Sequence, residues 1–134
     1  MIGKLSEPIF EALLETIPFD FSVLDANDRV LAWNKHETRL FKRPPMVIGR
    51  DVRDCHPPKS LAKVEQILKE MKEGIRDKAR FWIDLTLDPN KGKQKILIEY
   101  YALRDIQRTY LGCLEVTQNI TDFLTLTGEN RLLD

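Results

Sequence analysis

The sequence is short of distinctive chemistry, and each lack excludes something. There is no excess of either charge, because 21 lysines and arginines face 21 aspartates and glutamates. A neutral balance argues against general nucleic-acid binding, which needs a basic field to displace phosphate counterions. No apolar run approaches the ~18 residues of a membrane span. The first stretch, MIGKLSEPIFEALLETIPFD, carries Glu7, Glu11 and Glu15 among its apolar positions, so it is not a signal peptide. There are two cysteines, Cys55 and Cys113. With no secretion signal, they suit a reduced cytoplasmic setting better than a disulfide. No Walker loop, G-x-S-x-G, H-E-x-x-H or dinucleotide fingerprint is present, so the expectation is a protein that is not an enzyme. The soft metal ligands are His36, Cys55, His56 and Cys113, and none has the paired spacing of a structural zinc site.

What is present is an ordinary globular mixture. Hydrophobic residues make up 43% and charged residues 31% of 134 residues, which suits a single domain with one core. Residues 6–16 read as a helix. Ser6 stands at its N-cap, Pro8 is tolerated in its first turn, and Leu5, Ile9, Leu13 and Ile17 repeat every four residues. Pro18 ends it. Residues 19–34 alternate as a hairpin around the turn ANDR. Residues 35–48 read as a short helical and irregular region, broken by Pro44, Pro45 and Gly49. A long helix then starts at Pro58. Leu61, Val64, Leu68, Met71 and Ile75 form its stripe, Glu65 and Lys69 an exposed pair, and Gly74 its stop. Three strands follow, ARFWIDLTL, KILIEYYALR and TYLGCLEVTQ. The middle one is apolar on both faces except at Glu99, which predicts a central strand. A short helix from about 119 to 127, capped by Asn119 or Thr121, closes the chain. This order predicts an α+β fold, a five-stranded antiparallel sheet with helices gathered on one face.

That order, with LDANDRVLAWNK early and LEVTQNITDF late, resembles a PAS domain over roughly residues 10 to 126. The box CHPPKS before the long helix is similar to a prokaryotic PAS subtype often found beside a hemerythrin-like module. The resemblance implies one PAS domain over 1–134: a flanking helix at 1–18, a core at 19–118 and a C-terminal helix and tail at 119–134. The strand-end asparagine of the pattern matches Asn34. The closing D-I-T signature matches Ile120 and Thr121, with Asn119 in place of its aspartate. PAS domains host haem, flavin, small acids or nothing, so fold does not name the ligand.

The open question is the adjacent pair Cys55 and His56. As a catalytic dyad it is weak, because neighbouring residues project in different directions and no third group orients them. A flavin–cysteine photocycle is also disfavoured. GRDVRDC places Cys55 six residues past Gly49 rather than three. Haem is the sharper expectation, implied by PAS domains that hold it against the inner sheet face. His56 would ligate the iron, or Cys55 as thiolate. Arg50, Arg53, Lys59 and Lys63 would meet propionates, and Ile67, Ile83, Leu85, Leu97 and Leu114 would line the pocket. The structural alternative is that His56 ends a turn, Pro58 opens the helix, and Cys55 is a small buried hydrophobe. The functional expectation is therefore a cytoplasmic sensory or regulatory domain. It binds a small molecule and relays a signal to another protein, dimerising through the N-terminal stripe. The rival is a ligand-free association module whose core is filled by Phe41, Phe81, Tyr100 and Tyr101. Neither nucleic acid nor a membrane is an expected partner. Trp82, opposite in parity to Phe81 and Ile83, would mark a partner surface if exposed.

Overall fold

The computed structural model describes residues 1–132. Helix α1 spans Glu7–Thr16 and α2 Pro58–Lys72. Strands β1 to β5 span Asp20–Asp25, Val30–Trp33, Lys78–Leu85, Gln94–Arg104 and Tyr110–Asn119. All five strands form one antiparallel sheet in the order β2-β1-β5-β4-β3. The α+β reading therefore holds, and β4 is an interior strand, as its two apolar faces predict. The first and last strands pair along Asp20↔Thr117 to Asp25↔Gly112. At Gly112 an added Cβ would lie 2.0 Å from the Leu24 carbonyl oxygen, so only glycine admits this approach.

Register divides the sheet into two faces. Leu24, Cys113, Glu115, Thr117, Ile98 and Tyr100 share the face toward α2. Phe21, Val116, Leu97, Leu114, Glu99 and Tyr101 share the other. The core lies between sheet and helix, where Leu24, Val30 and Val52 pack with Leu68, Met71 and Cys113. Glu99, the one charged residue in the middle of β4, is buried on the outer face. It accepts from the Arg80 guanidinium at 2.9 Å and from the Tyr101 hydroxyl at 2.8 Å.

Asn34 ties the N-terminal helix to the sheet. Its Oδ1 accepts from the Phe21 N–H at 2.7 Å. Its Nδ2 donates to the Leu14 and Phe19 carbonyls at 2.9 and 3.0 Å. The stripe of α1 is otherwise uncovered. None of its ten residues is buried, and Ile9 is 57% exposed. Ser6 occupies the N-cap position but its side chain accepts no hydrogen bond.

Three local expectations are corrected. Helix α2 stops at Lys72, and Gly74 beyond it takes φ 76°, so Ile75 is exposed rather than part of the stripe. Glu65 pairs with Arg53 at 2.9 Å, while Lys69 turns to Glu73. The closing helix is a single 3-10 turn, Thr121–Thr125. Its N-cap position is Ile120, not Asn119 or Thr121, and Asn119 at the end of β5 accepts through Oδ1 from the Thr121 N–H at 3.0 Å as a local turn. No helix among the described residues is long and apolar enough to cross a membrane.

Candidate functional site

The CHPPKS box is built as a turn that feeds a helix. Asp51 opens a 3-10 turn over Val52–Cys55, its side chain accepting from the Arg53 N–H at 2.9 Å. The fully buried Val52 anchors that turn in the core. Pro57 is the N-cap of α2 and Pro58 its first residue, so neither lost N–H is missed. His56 lies between turn and sheet. Its Nδ1 is 3.0 Å from the Val52 carbonyl oxygen and its Nε2 is 3.3 Å from the Tyr100 hydroxyl. A carbonyl can only accept, so Nδ1 carries a proton, and in the neutral ring Nε2 accepts from Tyr100.

Behind the box lies a cavity of about 880 Å³. Its floor is the inner sheet face at Ser22, Ile98, Tyr100, Glu115 and Thr117. Its roof is α2 from its first turn to Ile67, with Val64, and its side is the segment from Arg39 to Val47. Much of the lining is apolar, but the floor holds an ion pair. Arg43 Nη2 donates to Glu115 Oε2 at 3.0 Å, with both side chains largely buried. Arg43 Nη1 and Glu115 Oε1 are buried without a partner. Burial pushes the Glu115 carboxyl above its ordinary range, and the adjacent Arg43 pulls it down. Arg39 is also buried. It donates to the carbonyls of Phe41, Phe21 and Asn34 and to the Ser22 hydroxyl, so it is spent on holding its own segment to β1.

The residues expected from sequence are only partly gathered here. Cys55, His56, Ile67 and Ile83 line the cavity, with Lys59 and Lys63 at the helix start. Leu97 and Leu114 do not, because their register places them on the opposite sheet face. Leu85 keeps the parity of Phe81 and Ile83 but sits at the end of β3, outside the lining. Arg50 is exposed in the preceding loop, outside the lining. Arg53 points away and bridges Asp28, Asp51 and Glu65, joining the hairpin turn to α2. Phe41, Phe81 and Tyr100 border the cavity without closing it, and Tyr101 is on the other face. Trp82 is 62% exposed. The residues that sequence reading missed are Arg43, Glu115 and Arg39. One signal for Glu115 is available in sequence: it stands between Cys113 and Thr117 at an inward position of β5.

The two candidate haem ligands, Cys55 and His56, both reach the cavity lining. The His56 Nε2 lone pair is occupied by Tyr100, which would have to move for iron to bind. Burial pushes the Cys55 thiol upward. Cys113 is buried beneath the core, its thiol pushed up to about 12 by burial. Among the described residues, no group of three or more His, Cys, Asp or Glu is placed to hold a metal ion.

A family model described as PAS domain matches residues 10–121. The chain belongs to the PAS domain family. Among solved structures, this PAS domain is similar to a C-terminal domain from Streptococcus mutans, at 29% identity and TM-score 0.79, with 92% of each chain covered. It is similar in fold to a PAS domain from Colwellia psychrerythraea, at 16% identity and TM-score 0.61, covering 84% of this chain and 95% of that one. A sensory box sensor histidine kinase from Vibrio cholerae aligns at 13% identity and TM-score 0.58, covering 85% and 90%. No curated protein matches the chain.

Proposed function

We propose that this PAS domain is a sensory or regulatory module that binds a small molecule between its sheet and the start of α2. The observation that carries the reading is the 880 Å³ cavity with the Arg43–Glu115 pair in its floor. A mostly apolar chamber with a few convergent polar groups has the form of a small-molecule site. The size suits a ligand and the polar atoms would orient it. The CHPPKS box then acts as a hinge for the roof, with His56 bonding the turn to Tyr100. It has no catalytic part, and haem is not the ligand in this reading.

Occupancy changes a signal only if the ligand favours one packing over another. The route out is short. Glu115 and Thr117 lie on β5, which runs directly into the Asn119 turn and the exposed Phe123 and Leu124. A signalling partner would read that end. The uncovered stripe of α1, with Ile9 and Leu13 exposed, is the surface for a homodimer. Two free thiols suit a cytoplasmic setting. The same exposed stripe favours the second reading, a PAS module for association without ligand.

A thermal-shift screen of small metabolites on the wild type and on Ile98→Trp, which fills the chamber, separates the two. Compounds that raise the Tm of the wild type but not of the variant support the first reading. A silent screen with an unchanged dimer dissociation constant supports the second. Added haemin is expected to keep its free absorption spectrum. A Soret band that moves in His56→Ala would contradict this reading.

A further inference from the structure

We propose that the cavity takes an amphipathic organic anion, its apolar body in the chamber between sheet and α2 and its acidic head group at the rim among Lys42, Lys59 and Lys63. This deepens the small-molecule reading above and rests on it. The chain as a whole is neutral, with 21 basic and 21 acidic residues, but the lining of this cavity is not. Its cations are Arg39, Lys42, Arg43, Lys59 and Lys63, and its acids are Asp54 and Glu115. Arg43 cancels Glu115 across 3.0 Å, and the Arg39 guanidinium is spent on carbonyls and on the Ser22 hydroxyl. The exposed Lys42, Lys59 and Lys63 remain, against Asp54 alone. Among the described residues, the lysines that do form ion pairs lie elsewhere, at Lys69, Lys72, Lys78 and Lys95.

The placing of these lysines runs against local electrostatics. Lys59 and Lys63 stand one turn apart on α2, where like charges destabilise a helix. Lys59 also lies in the first turn of α2, the positive end of the helix, and no acid in that turn offsets it. Lys42 adds a further positive charge from the side wall. A negative head group at the rim reduces all of these repulsions at once. Behind the rim, Phe41, Ile67, Phe81 and Ile98 supply apolar wall for the body of the molecule. An inorganic anion would leave that wall unfilled, a neutral apolar guest would leave the lysines uncompensated, and an amine would add to the surplus.

Three probes of one shape test this on the whole chain: phenylbutyrate, phenylbutanol and phenylbutylamine, titrated at neutral pH and low salt against the methyl resonances of Ile67, Ile83 and Ile98. Phenylbutyrate is expected to bind about tenfold more tightly than phenylbutanol, the worth of one charge-assisted hydrogen bond, and phenylbutylamine most weakly. The preference should fade as salt is raised, because the rim is exposed. Lys59→Gln combined with Lys63→Gln should shrink it to about twofold, and both side chains are exposed, so the fold is kept. Phenylbutanol or phenylbutylamine binding as well as phenylbutyrate would overturn the acidic head group and leave the small-molecule reading intact. A preference unchanged in the double variant would overturn it as well. Phenylbutyrate binding equally well to Ile98→Trp would also overturn the proposal, since the anion would then sit on surface lysines without entering the chamber. If no probe shifts the chamber methyls, the proposal falls, and the metabolite screen decides the broader reading separately.

Discussion

The space between sheet and α2 has two unlike halves. Under the C-terminal half, Leu68 and Met71 close on Leu24, Val30, Val52 and Cys113, each at most 1% exposed. Beside it, Ile67 looks onto a chamber floored by Glu115 and Thr117, and Val64, 5% exposed, borders both the core and the chamber. The same strand serves both: Cys113 is inward in the packed half, and Glu115 and Thr117 are inward in the open one. Interiors pack to crystal-like density, so an unfilled half with a polar floor is a departure from the norm for a core. The difference leaves room for a guest beside the first turns of α2, while the turn before it stays tied to the core through Val52 and His56.

Substitutions break this comparison in graded steps. Leu68→Ala should cost about 4 kcal/mol of stability, because it opens a new void in the closed half. Its neighbour Ile67→Ala should cost only about 1 kcal/mol, because it enlarges a space that already exists. Denaturant unfolding of the two variants reads the contrast directly, and equal losses would show that both halves are packed.

The pH dependence of Glu115 sharpens the open half. Burial raises its carboxyl above the ordinary 4.5, against the pull of Arg43. A raised acid adds stability below its unfolded value and loses it as pH rises through its folded value. Wild-type stability relative to Glu115→Gln should therefore fall as pH climbs above 4.5, read as the difference between their unfolding midpoints. The comparison with Glu115→Gln matters because Asp51, Glu70, Asp77, Asp84 and Glu99 are all shifted downward and act in the opposite sense. The smallest effect is expected outside both halves. Lys69→Ala removes only the exposed 3.9 Å pair with Glu73 and should change stability by less than about 0.5 kcal/mol.

Much of the fold was legible in sequence because its signals are local. Periodicity located α1 and α2, turn residues located the first hairpin, and Asn34 at a strand end proved to be the buried tie to α1. The site was less legible because it depends on parity and on contacts far apart in the chain. Leu97 and Leu114 were drawn to the pocket by hydrophobicity alone, yet one residue of register sends them to the other face. Arg53 was drawn there by proximity to the box, but its charge is taken by Asp28, Asp51 and Glu65. Arg43 and Glu115 lie 72 residues apart, and no local pattern announces that they meet. His56 lines the chamber, but its hydrogen bonds to Val52 and Tyr100 became visible only in three dimensions.

The most direct test of the account is a methyl NMR titration of the wild type with dissolved xenon, which fills open apolar space whatever the natural ligand. The account predicts saturable shifts of the Ile67, Ile83 and Ile98 methyls, while those of Leu24, Leu68 and Val30 stay still. Shifts in neither set, or in both sets together, would contradict it, because the chamber would then be closed or the two halves would be one.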